Sequence, residues 1–177
     1  MLLSNQQKYI LEALRKLGCI RTDQLRALVR SKFQRPGFAV REEHMSAMLR
    51  QLRSGLGDFH LDGGFVYLTR GQPDAFRLEA IDVMLELSEG APQDFTVKVD
   101  GPRLLRFALG GDKLKLFSVA RLSHISDPQQ IQREHSERIV WISDSGTPPE
   151  GLALPPKHFF AARQVDGSHC FYGSNGP

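Results

Sequence analysis

The first 55 residues contain three stretches in which apolar residues recur every three or four positions, the spacing of a helix with one buried face. Ser4 with Gln7 predicts a capping box at the start of the first helix, and Gly18 predicts its end. Thr22 predicts the N-cap of the second helix, and the third helix is expected over residues 40–54. The predicted buried faces consist of Ile10, Leu11, Leu14 and Leu17, then Leu25, Leu28 and Val29, and then Met45, Met48, Leu49 and Leu52.

A β-hairpin is predicted directly after the third helix. Apolar residues alternate with polar ones in residues 58–61 and 65–68, and Asp62-Gly63-Gly64 between them is typical of a tight turn. Three helices followed by a two-stranded hairpin are the element order of a winged helix-turn-helix. We therefore predict an N-terminal winged helix-turn-helix domain over residues 1–70.

A second domain is predicted over residues 71–177, because Gly71 and Pro73 indicate a turn at residues 69–74. The expected elements are an apolar helix over 75–89, strands over 95–99, 104–109 and 113–119, a polar helix over 129–136, a buried strand over 138–142, and a last hairpin around Asp166-Gly167. This is a small α/β domain, so the predicted fold class of the whole chain is α+β.

Charge separates the two predicted domains. Residues 1–70 hold 12 Lys and Arg against six Asp and Glu, whereas residues 71–177 hold 11 against 14. The net charge of +3 for the whole chain hides this division. A basic half beside an acidic half favours a polyanionic partner for the basic half, and together with the element order it predicts binding to double-stranded DNA.

The third predicted helix has a polar face that suits a major groove. Successive helix residues are about 100° apart, so the face opposite the apolar stripe carries Glu43, Ser46, Ala47, Arg50, Gln51 and Ser54. Small side chains at Ser46 and Ala47 would let the helix backbone approach DNA closely. Arg50 has the donors to contact guanine, and Gln51 can pair with adenine.

Several further cations lie around that face in the sequence. Lys32, Arg35 and Arg53 are expected to neutralise phosphates, and Arg41 is expected to flank the start of the helix. For any single arginine, a solvated helix face remains the alternative interpretation. Glu43 would repel phosphate, unless it caps the helix or accepts a hydrogen bond from a cytosine amine.

Residues 48–53, a glycine-containing linker and the hairpin together resemble the recognition helix and wing of many bacterial winged-helix regulators. The order helix, three antiparallel strands, helix, strand in the second domain resembles the core of the restriction-endonuclease-like fold. That fold holds Mg²⁺ with an Asp and an (Asp/Glu)-x-Lys pair. Here Asp112 and Lys115 are three positions apart, which places them on opposite faces of a strand, so this resemblance implies a degenerate nuclease.

The combination of the two domains resembles accessory proteins of bacterial plasmids and conjugative elements, of the replication-relaxation and mobilisation type, over roughly residues 1–145. This resemblance implies binding near a replication or transfer origin, or regulation of the element's genes. We therefore expect a non-enzymatic DNA-binding protein whose second domain forms a homodimer or recruits a protein partner. A protein-interaction module that uses the winged helix as a scaffold, and a metal-dependent nuclease in which Asp94, Asp100 and Asp112 converge, remain alternatives.

The remaining composition predicts neither a cofactor nor a membrane segment. The histidines lack metal-ligand spacing, and no phosphate-binding loop is present. No apolar run approaches the roughly 20 residues of a membrane-spanning helix, and the N-terminal residues lack a signal-peptide pattern. Cys19 and Cys170 are expected to be buried thiols, so we expect a cytoplasmic protein.

Overall fold

The computed structural model describes residues 2–37, 39–69 and 71–174, apart from the side chain of Val99. The chain contains helices and two β-sheets and belongs to the mixed α+β class. It divides into two compact units, Met1–Leu78 and Glu79–Pro177. None of the described helices is long and apolar enough to cross a membrane.

The first unit contains helices packed beside a small sheet. Its elements are α1 (Asn5–Leu17), β1 (Cys19–Arg21), α2 (Thr22–Phe33), α3 (Glu42–Gly55), β2 (Phe59–Asp62) and β3 (Phe65–Leu68). The strands pair antiparallel in the order β1-β3-β2. The predicted apolar faces of the three helices are buried, except that Met48 is only half-buried. The three predicted helices and the hairpin are thus confirmed.

Local signals at the start of the chain are confirmed in detail. The Ser4 hydroxyl accepts from the amide of Gln7 at 3.2 Å, the Gln7 side chain accepts from the amide of Ser4 at 3.0 Å, and Gly18 ends α1 with φ +79°. The prediction that Thr22 caps the second helix was wrong, because Thr22 is already helical and Arg21 is the N-cap. The hydroxyl and the amide of Thr22 both donate to the carbonyl of Gly64, at 2.6 and 2.8 Å.

The start of the third helix was also predicted too early. Arg41 has extended backbone angles (φ −81°, ψ 161°), so α3 begins at Glu42 rather than at Val40. The carbonyl of Val40 instead accepts from Nε of Arg30 at 3.3 Å, and the Val40 side chain is buried. Val40 therefore belongs to the link between α2 and α3.

The second unit is built on a six-stranded sheet. The remaining elements of the chain are α4 (Ala75–Leu87), β4 (Asp94–Asp100), β5 (Arg103–Leu109), β6 (Lys115–Arg121), α5 (Asp127–Gln130), β7 (Arg138–Ile142), β8 (His158–Arg163) and β9 (His169–Gly173). The strand order is β4 to β9 in sequence, with β6, β7 and β8 parallel and the other pairs antiparallel. The three predicted antiparallel strands and the last hairpin are confirmed.

Both faces of this sheet are covered. On one face lies an apolar cluster of Ala120, Leu122, Ile139, Trp141, Phe160 and Ala162, against which Ile131, Leu152, Leu154 and Tyr172 pack. The buried indole Nε1 of Trp141 donates to Nδ1 of His158 at 3.1 Å. At the opposite face the C-terminal part of α4 is bonded to β9, because the His169 side chain contacts Glu86 at 2.9 Å and Glu79 at 3.4 Å.

Two predictions for this unit were wrong. The polar helix expected over residues 129–136 is only the four-residue α5, because Ile131 is extended and packs on the apolar cluster. The amide of Glu134 is bonded by the Glu137 side chain at 2.9 Å, instead of by a helical carbonyl. Cys170 is exposed rather than buried, whereas Cys19 is buried, and both thiols are free.

Candidate nucleic-acid interface

Three buried side chains fix the rotation of α3. Met45, Leu49 and Leu52 are at most 2% exposed, so the opposite side of the helix faces outwards. That outward face carries Glu43, Ser46, Arg50 and Ser54, all of which are exposed, with Ala47 half-buried beside them. The residues along the middle of this face are small, apart from Glu43 and Arg50. The helix backbone can therefore approach a flat or grooved partner closely.

Arg50 is the cation at the centre of the outward face. Its side chain makes no hydrogen bond and no ion pair with the described residues, and the residue is exposed. All five N–H donors of its guanidinium are therefore available to a partner. This is the arrangement that a bidentate contact with guanine requires.

Gln51 lies on the flank of α3 that faces α1. Its Oε1 accepts from Nε2 of Gln7 at 3.0 Å, so a buried glutamine of α1 holds the side chain in place. A groove beside this contact is also lined by Gln6, His44 and Met48. The amide nitrogen of Gln51 has no bonding partner among the described residues, so it can still donate to a base edge.

Four further cations lie in or beside α2 and α3 along the chain. Lys32 lies in the last turn of α2, Arg35 follows that helix, Arg41 is the N-cap of α3, and Arg53 lies in its last turn. All four are exposed and make no ion pair with the described residues. All four are free to neutralise phosphates, which is the role predicted for Lys32, Arg35 and Arg53, and Arg41 flanks the start of the helix as expected.

Other charged residues of the two helices, except Glu43, are already engaged within the fold. Arg26 of α2 forms an ion pair with Glu42 of α3, and the guanidinium of Arg30 donates to the link between the helices. The predicted site included neither the Arg26–Glu42 pair nor the Gln7–Gln51 pair. These partners are 16 and 44 residues apart, so no local spacing in the sequence indicates them.

The hairpin offers little to a polyanion. Its tip, Asp62-Gly63-Gly64, contains no cation, and the carbonyl of Gly64 is bonded to Thr22 at the start of α2. His60 and Tyr67 stack on each other with ring centroids 5.1 Å apart, so both aromatic faces that meet there are occupied by the hairpin itself. The outward face of α3 is therefore the candidate surface for base contacts.

The three aspartates that a metal-dependent nuclease would need do not converge. Asp94 and Asp100 lie at opposite ends of the seven-residue strand β4, which at about 3.3 Å per residue separates them by roughly 20 Å. Asp112 precedes β6, whose first residue is Lys115. Among residues 2–37, 39–69 and 71–174, no group of three or more His, Cys, Asp or Glu side chains is arranged to hold a metal ion.

Comparisons of the chain with protein-family models, with curated proteins and with solved structures found no match. The support for a nucleic-acid interface therefore comes only from the residues and contacts of this chain.

Proposed function

We propose that this chain is a non-enzymatic protein that binds double-stranded DNA, with α3 lying in the major groove. The observation that carries the proposal is the outward face of α3, where an exposed Arg50, with no partner among the described residues, lies among small side chains. The order of elements in the first unit, with β1 between α1 and α2 and a hairpin after α3, supports the predicted winged helix-turn-helix. In that arrangement the helix before the hairpin enters the major groove.

The charges around α3 support the same partner. Lys32, Arg35, Arg41 and Arg53 are exposed and unpaired in the described part of the chain, whereas most other charges of α2 and α3 are matched within the fold. Unpaired cations beside a helix that fits the major groove favour a polyanionic binding partner. In this proposal the four cations hold the phosphates and Arg50 reads a base.

The wider role we propose is that of a regulator, or a replication or mobilisation accessory factor, of a bacterial mobile element. It rests on the element order of the two domains taken together. The second domain, with 11 Lys and Arg against 14 Asp and Glu in residues 71–177, is a poor surface for DNA. We assign it the formation of a homodimer or the binding of a protein partner, in the cytoplasm.

The test of DNA binding is its dependence on salt. Fluorescence anisotropy of a labelled duplex is measured with the full chain over a series of KCl concentrations. If the four cations each neutralise one phosphate, the logarithm of the association constant should fall with the logarithm of the salt concentration with a slope of roughly −3 to −4. Absent binding, or a slope near zero, would overturn the proposal in favour of a protein-interaction role.

A matched pair of variants sharpens this test. Lys32→Ala removes a phosphate contact and should reduce the slope by about 1. Lys16→Ala is the control, because Lys16 on α1 is already paired with Glu12 at 3.1 Å, and it should leave the slope unchanged. Equal slopes for the wild type, Lys32→Ala and Lys16→Ala would show that Lys32 does not face DNA.

A further inference from the structure

A carboxylate stands on the face of α3 that we assign to DNA. Glu43 is exposed and lies on the outward face of the helix, on the same side as Arg50. A negative charge at this position repels phosphate in every sequence. Its presence therefore calls for a favourable contact that offsets the repulsion, either within the protein or with the DNA.

Within the described residues, the favourable interaction that the fold offers Glu43 is its place in the first turn of α3, where the N-terminal end of a helix attracts acidic side chains. The N-cap of α3 is Arg41, and no side chain makes a capping hydrogen bond there. Glu43 makes no hydrogen bond or ion pair with the described residues, whereas its neighbour Glu42 is paired with Arg26. The two acidic residues of the first turn thus differ: Glu42 joins α3 to α2, whereas the exposed Glu43 carboxylate is bonded by no described side chain.

We propose that Glu43 determines specificity by accepting a hydrogen bond from the amino group of cytosine in the major groove. Cytosine N4 is the donor that a Glu carboxylate recognises there. The N-terminal residues of a recognition helix are the ones that reach base edges. For other bases the repulsion is uncompensated, so Glu43 weakens binding to every sequence that lacks cytosine at its position. This inference rests on the proposed DNA binding by α3.

The spacing of the outward face sets where this cytosine lies. Glu43 and Arg50 are seven residues apart, which on a helix rising 1.5 Å per residue is about 10 Å. With about 3.4 Å per base pair, the two side chains reach bases about three base pairs apart. The recognised half-site therefore contains a cytosine about three base pairs from the guanine that Arg50 contacts.

The experiment selects bound duplexes from a randomised pool with the full chain, and then measures anisotropy with the selected duplex and its single-base replacements. The wild type should prefer C·G at the Glu43 position by about tenfold. Glu43→Gln removes the charge, keeps one acceptor oxygen and adds an amide donor that can pair with adenine, so the base preference should shift from cytosine towards adenine. It should also bind the other sequences more tightly than the wild type does.

The matched control is Glu42→Gln, which removes the same charge from the same turn of α3. It should raise affinity for all sequences without changing the preferred base. A chemical control places a methyl group on the amino nitrogen of that one cytosine. It should weaken binding by the wild type about tenfold and weaken binding by Glu43→Gln less.

The outcomes separate the two proposals. Absence of salt-dependent duplex binding by the wild type would overturn the proposed function, and this inference with it. Intact DNA binding with an unchanged base preference in Glu43→Gln, or with the same change in Glu42→Gln, would overturn the role of Glu43 alone. Circular dichroism melting of each variant confirms that it is folded.

Discussion

At the scale of single residues, the second unit depends on one buried carboxylate. Glu137 is fully buried, and Nε and one terminal nitrogen of Arg103 donate to its two oxygens at 3.1 and 2.9 Å. The hydroxyl of Ser118 and the amide of Glu134 also donate to it. Burial by itself would raise the pKa of Glu137, but the hydrogen bonds from Arg103 and Ser118 outweigh it and lower the pKa to about 2.

Removing this charge should destabilise the second unit strongly. Glu137→Gln leaves the guanidinium of Arg103, which is 7% exposed, without its counter-charge, and breaking a buried pair on one side costs about 3–5 kcal/mol. Urea unfolding measures the loss. Asp144→Asn is the control, because it breaks the exposed pair with Arg121 and should cost less than about 1 kcal/mol. Similar losses for the two variants would contradict the account.

The same group predicts how stability depends on pH. The pKa of Glu137 is lower in the folded chain than its ordinary value of 4.5, so its stabilisation is fully present above about pH 4.5 and is lost as the pH falls towards 2. The free energy of unfolding of the wild type should decline across this range by more than that of Glu137→Gln. Parallel pH profiles for the two proteins would show that the carboxylate is not stabilised by its neighbours.

At the scale of elements, the sequence predicts the helix ends and turns that depend on neighbouring residues. The capping box at Ser4, the stop at Gly18 and the tight turn at Gly63-Gly64 each act over a few residues, and all are found in the structure. The rotation of α3 follows in the same way from the spacing of Met45, Leu49 and Leu52, so its outward face could be predicted, except that Gln51 was expected there and instead lies on the flank towards α1.

Elements that depend on distant partners were missed. The sequence predicts no strand at residues 19–21, but they form β1, because they pair with β3 more than 40 residues later in the chain. The expected helix over 129–136 is interrupted because Glu137 bonds the amide of Glu134, and the Gln129 side chain donates to the carbonyl of Ala153. These side chains bond backbone groups that a helix would otherwise use. They come close to those groups only in the folded sheet, so the local sequence does not indicate the contacts.

The turn after β3 brings Gly71 close to the backbone of Gly18. A methyl group on Gly71 would lie 2.2 Å from the carbonyl oxygen of Gly18 and 2.9 Å from Cβ of Tyr67, and both of these are rigidly held. Gly71→Ala should therefore lower the free energy of unfolding by about 1–3 kcal/mol. Gly57→Ala is the control, because nothing lies within 4 Å of the added atom, and it should have little effect. Equal thermal stability of the two variants would contradict the close approach.

At the scale of the whole molecule, charge is divided along the chain in a way that fits the proposed roles. Residues 1–70 carry 12 Lys and Arg against six acidic residues, and the remainder has an acidic excess. One module with four phosphate contacts and one helix in the groove binds weakly, so recognition of a specific site calls for two copies. This is why we assign a homodimer to residues beyond 71, in line with the symmetry of most oligomers.

The central claim is that the outward face of α3 binds duplex DNA, and one comparison tests it most directly. Anisotropy is measured for the wild type, Arg50→Ala and Lys32→Ala, with a selected duplex and with an unrelated one. Arg50→Ala should weaken binding to the selected duplex by about 1–3 kcal/mol and barely affect the unrelated one, whereas Lys32→Ala should weaken binding to both about equally. Negligible effects from both substitutions in a protein that still binds DNA would contradict the account, because α3 would then not face the nucleic acid.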